Sequence, residues 1–173
     1  MEIVPILQSQ YLASLAMLEE VVKQCPPSLW DDPQDTNPFW RVAFHTLLYT
    51  HLYLQHTEED FQPWRSHHRD TQFLSLVLPE SIYEPGQRAP FAPADILEYL
   101  ELCREQVRQQ LPTLDYDGPS GFDWLPFGKL ELQIYTIRHL HHHIGELSER
   151  LAARAKVNEL DWIGASADLM GTP

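Results

Sequence analysis

The stretch from Tyr135 to Arg150, YTIRHLHHHIGELSER, decides how the rest of the chain is read. It holds four of the nine histidines within five residues: His139, His141, His142 and His143. Leu140, Ile144, Leu147 and Leu151 recur beside them at helical spacing. Successive residues of a helix turn by about 100°, so His139 and His143 lie about 40° apart, one turn above the other. Two imidazoles at i and i+4 can grip one divalent ion from the same side. His141 and His142 point to other faces and cannot both join them. A third ligand must come from elsewhere in the chain.

Working outward, this fourth helix is expected from near Lys129 to about Ala155, with Leu132, Tyr135, Thr136, His139, His143 and Glu146 on one face. The first helix, about 3–24, carries a core stripe of Leu7, Tyr11, Leu15, Leu18 and Val22 and is stopped by Pro26 and Pro27. Asn37-Pro38 reads as the cap and first position of a second helix, about 38–60. One face of it presents His45, Leu48, Leu52 and Gln55, with Tyr49 one turn from His45; His51 and His56 fall away from that face and read as surface or rim residues. Pro93 opens a third helix, about 93–111, whose buried stripe is Ile96, Leu100, Cys103, Val107 and Leu111.

Between the second and third helices, residues 61–92 are broken by Pro63, Pro79, Pro85 and Pro90 around one apolar run, Phe73 to Leu78. A connection this long is uncommon in a compact domain. It reads as a crossover along a bundle, with a lid over a site as the sharper alternative. Residues 115–127 form an aromatic-rich loop with Phe122, Trp124 and Phe127, and the tail, 157–173, shows weak periodicity apart from Trp162. The expectation is an all-α chain: one domain over 1–173, a four-helix bundle with one long crossover between helices two and three.

Charge narrows the partners. Twelve Lys and Arg against 25 Asp and Glu give a formal net charge of −13, which repels phosphate backbones and anionic lipid. Nucleic acid and membrane are therefore not expected partners. No apolar run approaches the roughly 18 residues of a membrane span. The start of the chain has neither a basic region nor a long apolar one, which argues against a signal peptide. Cys25 and Cys103 form no C-x-x-C pair, so a reduced, cytoplasmic setting is expected.

A catalytic zinc-type site uses three protein ligands and leaves one position open. His45, His139 and His143 supply that set if helices two and four adjoin at the same level. Neutral imidazoles leave the ion its full charge, which lowers the pKa of bound water or thiol. Imidazole suits zinc, nickel, iron and copper alike. The bland alternative is a satisfied core histidine at His45 and a solvated pair on the fourth helix.

The run His139-Leu-His-His142-His143-Ile-Gly145-Glu146-Leu147 resembles the fourth-helix pattern of the DinB/YfiT-like superfamily, His-x-x-His-His-x-Gly-Gln/Glu-Leu. NPFWRVAFH places His45 where that superfamily carries its other histidine, after an aromatic-rich helix start. The resemblance covers most of the chain. It implies a four-helix bundle, often dimeric, holding zinc or nickel on His45, His139 and His143. It implies hydrolysis or thiol S-transfer on a small electrophile, with a low-molecular-weight thiol as cosubstrate. His142 is the adjacent non-ligand histidine of the motif. Glu146 occupies its Gln/Glu position, where it can orient a ligand or substrate, and His141 is extra to the pattern. Tyr49 and Tyr135, one turn from ligands, are candidate pocket residues. Two alternatives stand beside this one: a non-catalytic, stress-responsive metal- or ligand-binding bundle, and a hemerythrin-like di-iron carrier. The latter lacks support because helices one and three carry no histidine.

Overall fold

Among the described residues the apolar stripes become four long helices, and a short helix stands between the first two. In the computed structural model, which describes residues 2–68, 71–74, 89–158 and 160–166, α1 spans Ile3–Gln24, α2 Pro27–Trp30, α3 Phe39–Tyr53, α4 Pro93–Gln110 and α5 Lys129–Arg150. The described residues contain no strand, only an isolated bridge between Pro119 and Gly128. None of the helices is long and apolar enough to cross a membrane. Residues 75–88, which include most of the apolar run and the middle of the expected crossover, lie outside the described residues, as does the tail from 167 onward.

Helix α1 packs on α4 and α5, and α3 packs on the same two. Leu7, Tyr11, Leu15, Leu18 and Val22 are all buried, as are Ile96, Leu100, Cys103, Val107 and Leu111. Each such side chain withdrawn from water contributes about 1.5–3 kcal/mol before its entropy cost. Polar ties cross the same seams: Arg104 pairs with Glu19 at 2.5 Å, and the Cys103 thiol donates to the Leu47 carbonyl at 3.5 Å.

Helix α3 departs most from expectation. It starts at Phe39, because Pro38 is extended (ψ 155°) and only its carbonyl joins the helix, accepting from the amides of Arg41 and Val42. It ends at Tyr53 rather than near Asp60. The reason lies far along the chain. Gln133 Nε2 donates to the Tyr53 carbonyl at 3.0 Å, and the buried Lys129 ammonium donates to the carbonyls of Gln55 and His56 at 3.1 and 2.8 Å. The first turns of α5 thus satisfy the open carbonyls at the end of α3, where a cation also suits the helix dipole. Gln133 accepts in turn from the Tyr11 hydroxyl at 2.8 Å, so one buried amide ties α1, α3 and α5 together.

The loop before α5 closes on the same spot. Gly121 turns at φ +86°, and a Cβ there would stand 1.9 Å from the His56 carbonyl oxygen. Phe122 from this loop joins Leu52, Tyr53 and Leu132 in a small second apolar cluster. Beyond Arg150 the fourth long helix loosens into a π turn, Leu151–Ala155, and stops at Lys156, which adopts the left-handed conformation at φ 60°. The short α2 has no strong periodicity to announce it. It seats Trp30, whose indole donates to the Phe91 carbonyl at 2.8 Å.

Candidate metal centre

Helix α3 is buried on nearly every face, including Arg41. That guanidinium donates to the carbonyls of Thr71 (3.2 Å) and Phe73, and so clamps the segment between them over α3. The clamp presents the Gln72 carbonyl to His45 one helical turn further on, at 2.6 Å from Nδ1. A carbonyl only accepts, so His45 Nδ1 is the protonated nitrogen and Nε2 carries the lone pair. That lone pair faces α5.

On α5, His143 Nδ1 lies 2.9 Å from Glu146 Oε2, which fixes its tautomer in the same way and leaves Nε2 as the lone-pair nitrogen. Glu146 is anchored through its other oxygen by Arg150. The hydrogen bond from His143, followed by the charge of Arg150, outweighs burial and holds the Glu146 carboxyl below its ordinary range. His139 Nε2 stands 3.0 Å from His45 Nε2. His139 Nδ1 is buried without a hydrogen-bond partner among the described residues.

These distances test whether a cation fits. Two lone-pair nitrogens cannot face each other at 3.0 Å unless something positive lies between them. Either a proton on His139 Nε2, donated to His45, or a metal ion meets that requirement, and His139 Nδ1 is without a partner among the described residues in both cases. A metal with bonds of about 2.0–2.1 Å holds neighbouring nitrogens roughly 3.0–3.4 Å apart, which matches the His45–His139 pair. One ligand atom from each of His45, His139 and His143 lies within 4.8 Å of the other two. Burial pushes the His45 imidazole down to about 4 and that of His139 to about 3, the latter helped by its neighbouring histidines. Both are neutral at pH 7, as ligands must be. The donor set fits a divalent ion.

A second group, His142, His143 and Glu146, satisfies the same distance limit. It is the weaker site, because His142 is exposed and Arg150 already neutralises Glu146. His142 lies with its ring 4.9 Å from that of His143 and lines no part of the cavity described below. His141 points toward α1, where its Nε2 lies 2.8 Å from Ser14 Oγ.

His45 and His139 open onto a cavity of about 660 Å³. Tyr49 and Tyr135 both line it. The Tyr49 ring stands edge-on to His45 at 4.8 Å, and Tyr135 lies parallel to His139 at 6.5 Å. Burial raises the Tyr49 hydroxyl above its ordinary range, so it stays a proton donor beside the histidines. Two contributors have no mark in the sequence: Gln72, which acts through its backbone, and Arg41, which resembles any helix-surface arginine until its burial is seen. His51, read as a rim residue, is buried instead, between the rings of Phe61 and Tyr99. His56 is exposed.

A family model described as the DinB superfamily matches residues 10–147. Neither a curated protein nor a solved structure matches the chain.

Proposed function

Because the chain belongs to the DinB superfamily, we propose that it is a metal-dependent enzyme acting on a small electrophilic substrate, with one divalent ion, zinc or nickel, on His45, His139 and His143. When bound, such an ion lowers the pKa of a water or a low-molecular-weight thiol at its open position and so supplies the nucleophile for hydrolysis or S-transfer. The chain's own groups do the rest. The Gln72 carbonyl and the Glu146 carboxylate hold His45 and His143 in the tautomers that turn Nε2 toward the site. Tyr49 and Tyr135 wall the cavity beside His45 and His139, where they orient a substrate and keep water from its body.

The observation that carries this reading is the convergence of His45, His139 and His143, one ring nitrogen of each within 4.8 Å of the other two and the first pair 3.0 Å apart. The surrounding architecture belongs to the same proposal: a single-domain four-helix bundle, with α3 and α4 parallel and the chain between them crossing over. Contacts of Phe44 with Tyr99 and of Leu47 with Cys103 advance in step along both helices and support it. A cytoplasmic location and a homodimeric assembly complete it. Metal analysis of tag-free protein, beside His45→Ala and His143→Ala, is the test. About one equivalent of ion in the parent and little in either variant is expected; equal content in all three sinks the site.

A further inference from the structure

The tyrosines of the cavity form a connected set of rings. Tyr135 lies beside His139, Tyr53 is 6.1 Å from Tyr135 and 5.6 Å from Tyr49, and the Trp124 indole donates to the Tyr53 hydroxyl at 3.4 Å. Phe61 and Phe73 complete an aromatic lining, and Trp124 is 48 % exposed, which puts it at the mouth. The only carboxylate among the described lining residues is Glu58, itself exposed. No Lys or Arg lines the cavity among those residues. Arg41 is turned onto the Thr71 and Phe73 carbonyls, and Arg138 lies over the Tyr135 ring at 5.6 Å without lining the cavity. Glu58 also borders an adjoining depression with Glu59, Asp117 and Asp123, again with no basic residue among its lining. An anionic ligand would therefore cross an acidic rim and find no cation among these groups to pair with. A positive group would find ring faces and a carboxylate together.

We infer that the cavity takes an organic cation: a molecule with an apolar or aromatic body whose ammonium-type group is held by the faces of Tyr53, Trp124 and Tyr135 near Glu58. Its opposite end then points toward His45 and His139. Ring faces attract such cations through their quadrupoles, and the net charge of −13 draws them in from solution. The inference rests on the proposed metal centre only for what happens at that far end; the binding preference belongs to the cavity.

Calorimetric titration at low salt with three probes of similar size separates the two readings. The probes are benzyltrimethylammonium, N-benzylacetamide and phenylmethanesulfonate, each tested on the full chain as isolated and after chelation. In the chelated chain the cation should bind roughly fivefold to thirtyfold more tightly than the amide, with the sulfonate weaker still, and a bound divalent ion should narrow that gap. Glu58→Gln should reduce that preference about twofold to fivefold while leaving amide binding unchanged, and Trp124→Ala should weaken all three probes about twofold to tenfold. The amide or the sulfonate matching the cation in the chelated chain overturns the inference, as does a preference that survives Glu58→Gln intact. None of these outcomes bears on the metal content of the histidine variants, so each reading fails separately.

Discussion

Helix α5 carries two polar clusters, and they are opposites. At its start, Lys129 and Gln133 spend their donors on the carbonyls of Tyr53, Gln55 and His56, and the Gln133 oxygen accepts from Tyr11. Further along, His139 and His143 meet His45, with the Nε2 atoms of His45 and His139 3.0 Å apart and His139 Nδ1 without a partner among the described residues. Both clusters lie where α5 packs on α3, the second half-buried at the wall of the cavity. The first is complete within the chain and serves the fold. The second is incomplete, and burial of an incomplete polar set persists where something outside the chain finishes it.

The sharpest way to break this comparison is to exchange the expected losses. Lys129→Met strands the buried Gln55 carbonyl and the half-buried His56 carbonyl and is expected to lower unfolding free energy by about 1–3 kcal/mol in urea, with metal content unchanged. His139→Leu removes a bare imidazole and is expected to leave the chelated protein as stable as the parent or up to about 2 kcal/mol more so, while metal binding is lost. If both variants destabilise the chelated chain equally, the distinction between the clusters fails.

A smaller effect sharpens it. Glu146→Gln keeps a hydrogen-bond acceptor for His143 but loses the charge, and should weaken metal affinity about 10–100-fold in competition with a chromophoric chelator. A change within twofold would show that Glu146 serves Arg150 rather than the site.

The smallest effect concerns His51, an imidazole buried on α3 whose ring lies 3.3 Å from the Tyr99 hydroxyl. Burial pushes it from 6.5 down to about 4. The folded chain therefore holds fewer protons than the unfolded one between those values, so stability is full above about pH 6.5 and declines as pH falls toward 4. His51→Phe should reduce that acid slope by roughly 1 kcal/mol per pH unit and leave metal content untouched. An unchanged slope between pH 6.5 and 4 would show that His51 is not held neutral by burial.

Sequence periodicity reaches some of this and stops at a definable point. The stripes of α1, α4 and α5 are local patterns with proline punctuation, and His139 and His143 share a face by spacing alone. The end of α3 is not local: its capping groups, Lys129 and Gln133, arrive from another helix, and nothing near Tyr53 announces them. Gln72 acts through a carbonyl that every residue possesses. His51 was placed at a rim by assuming that α3 has a wet face, whereas neighbours cover that helix almost completely.

Gly121 has a consequence at the opposite end of the molecule's chemistry. The segment bearing Trp124 rests against the terminus of α3 only because a methyl group is missing there; a Cβ would collide with the His56 oxygen at 1.9 Å. Gly121→Ala acts as a wedge under the gatepost, so the width of the doorway is governed by a position outside the cavity's own lining.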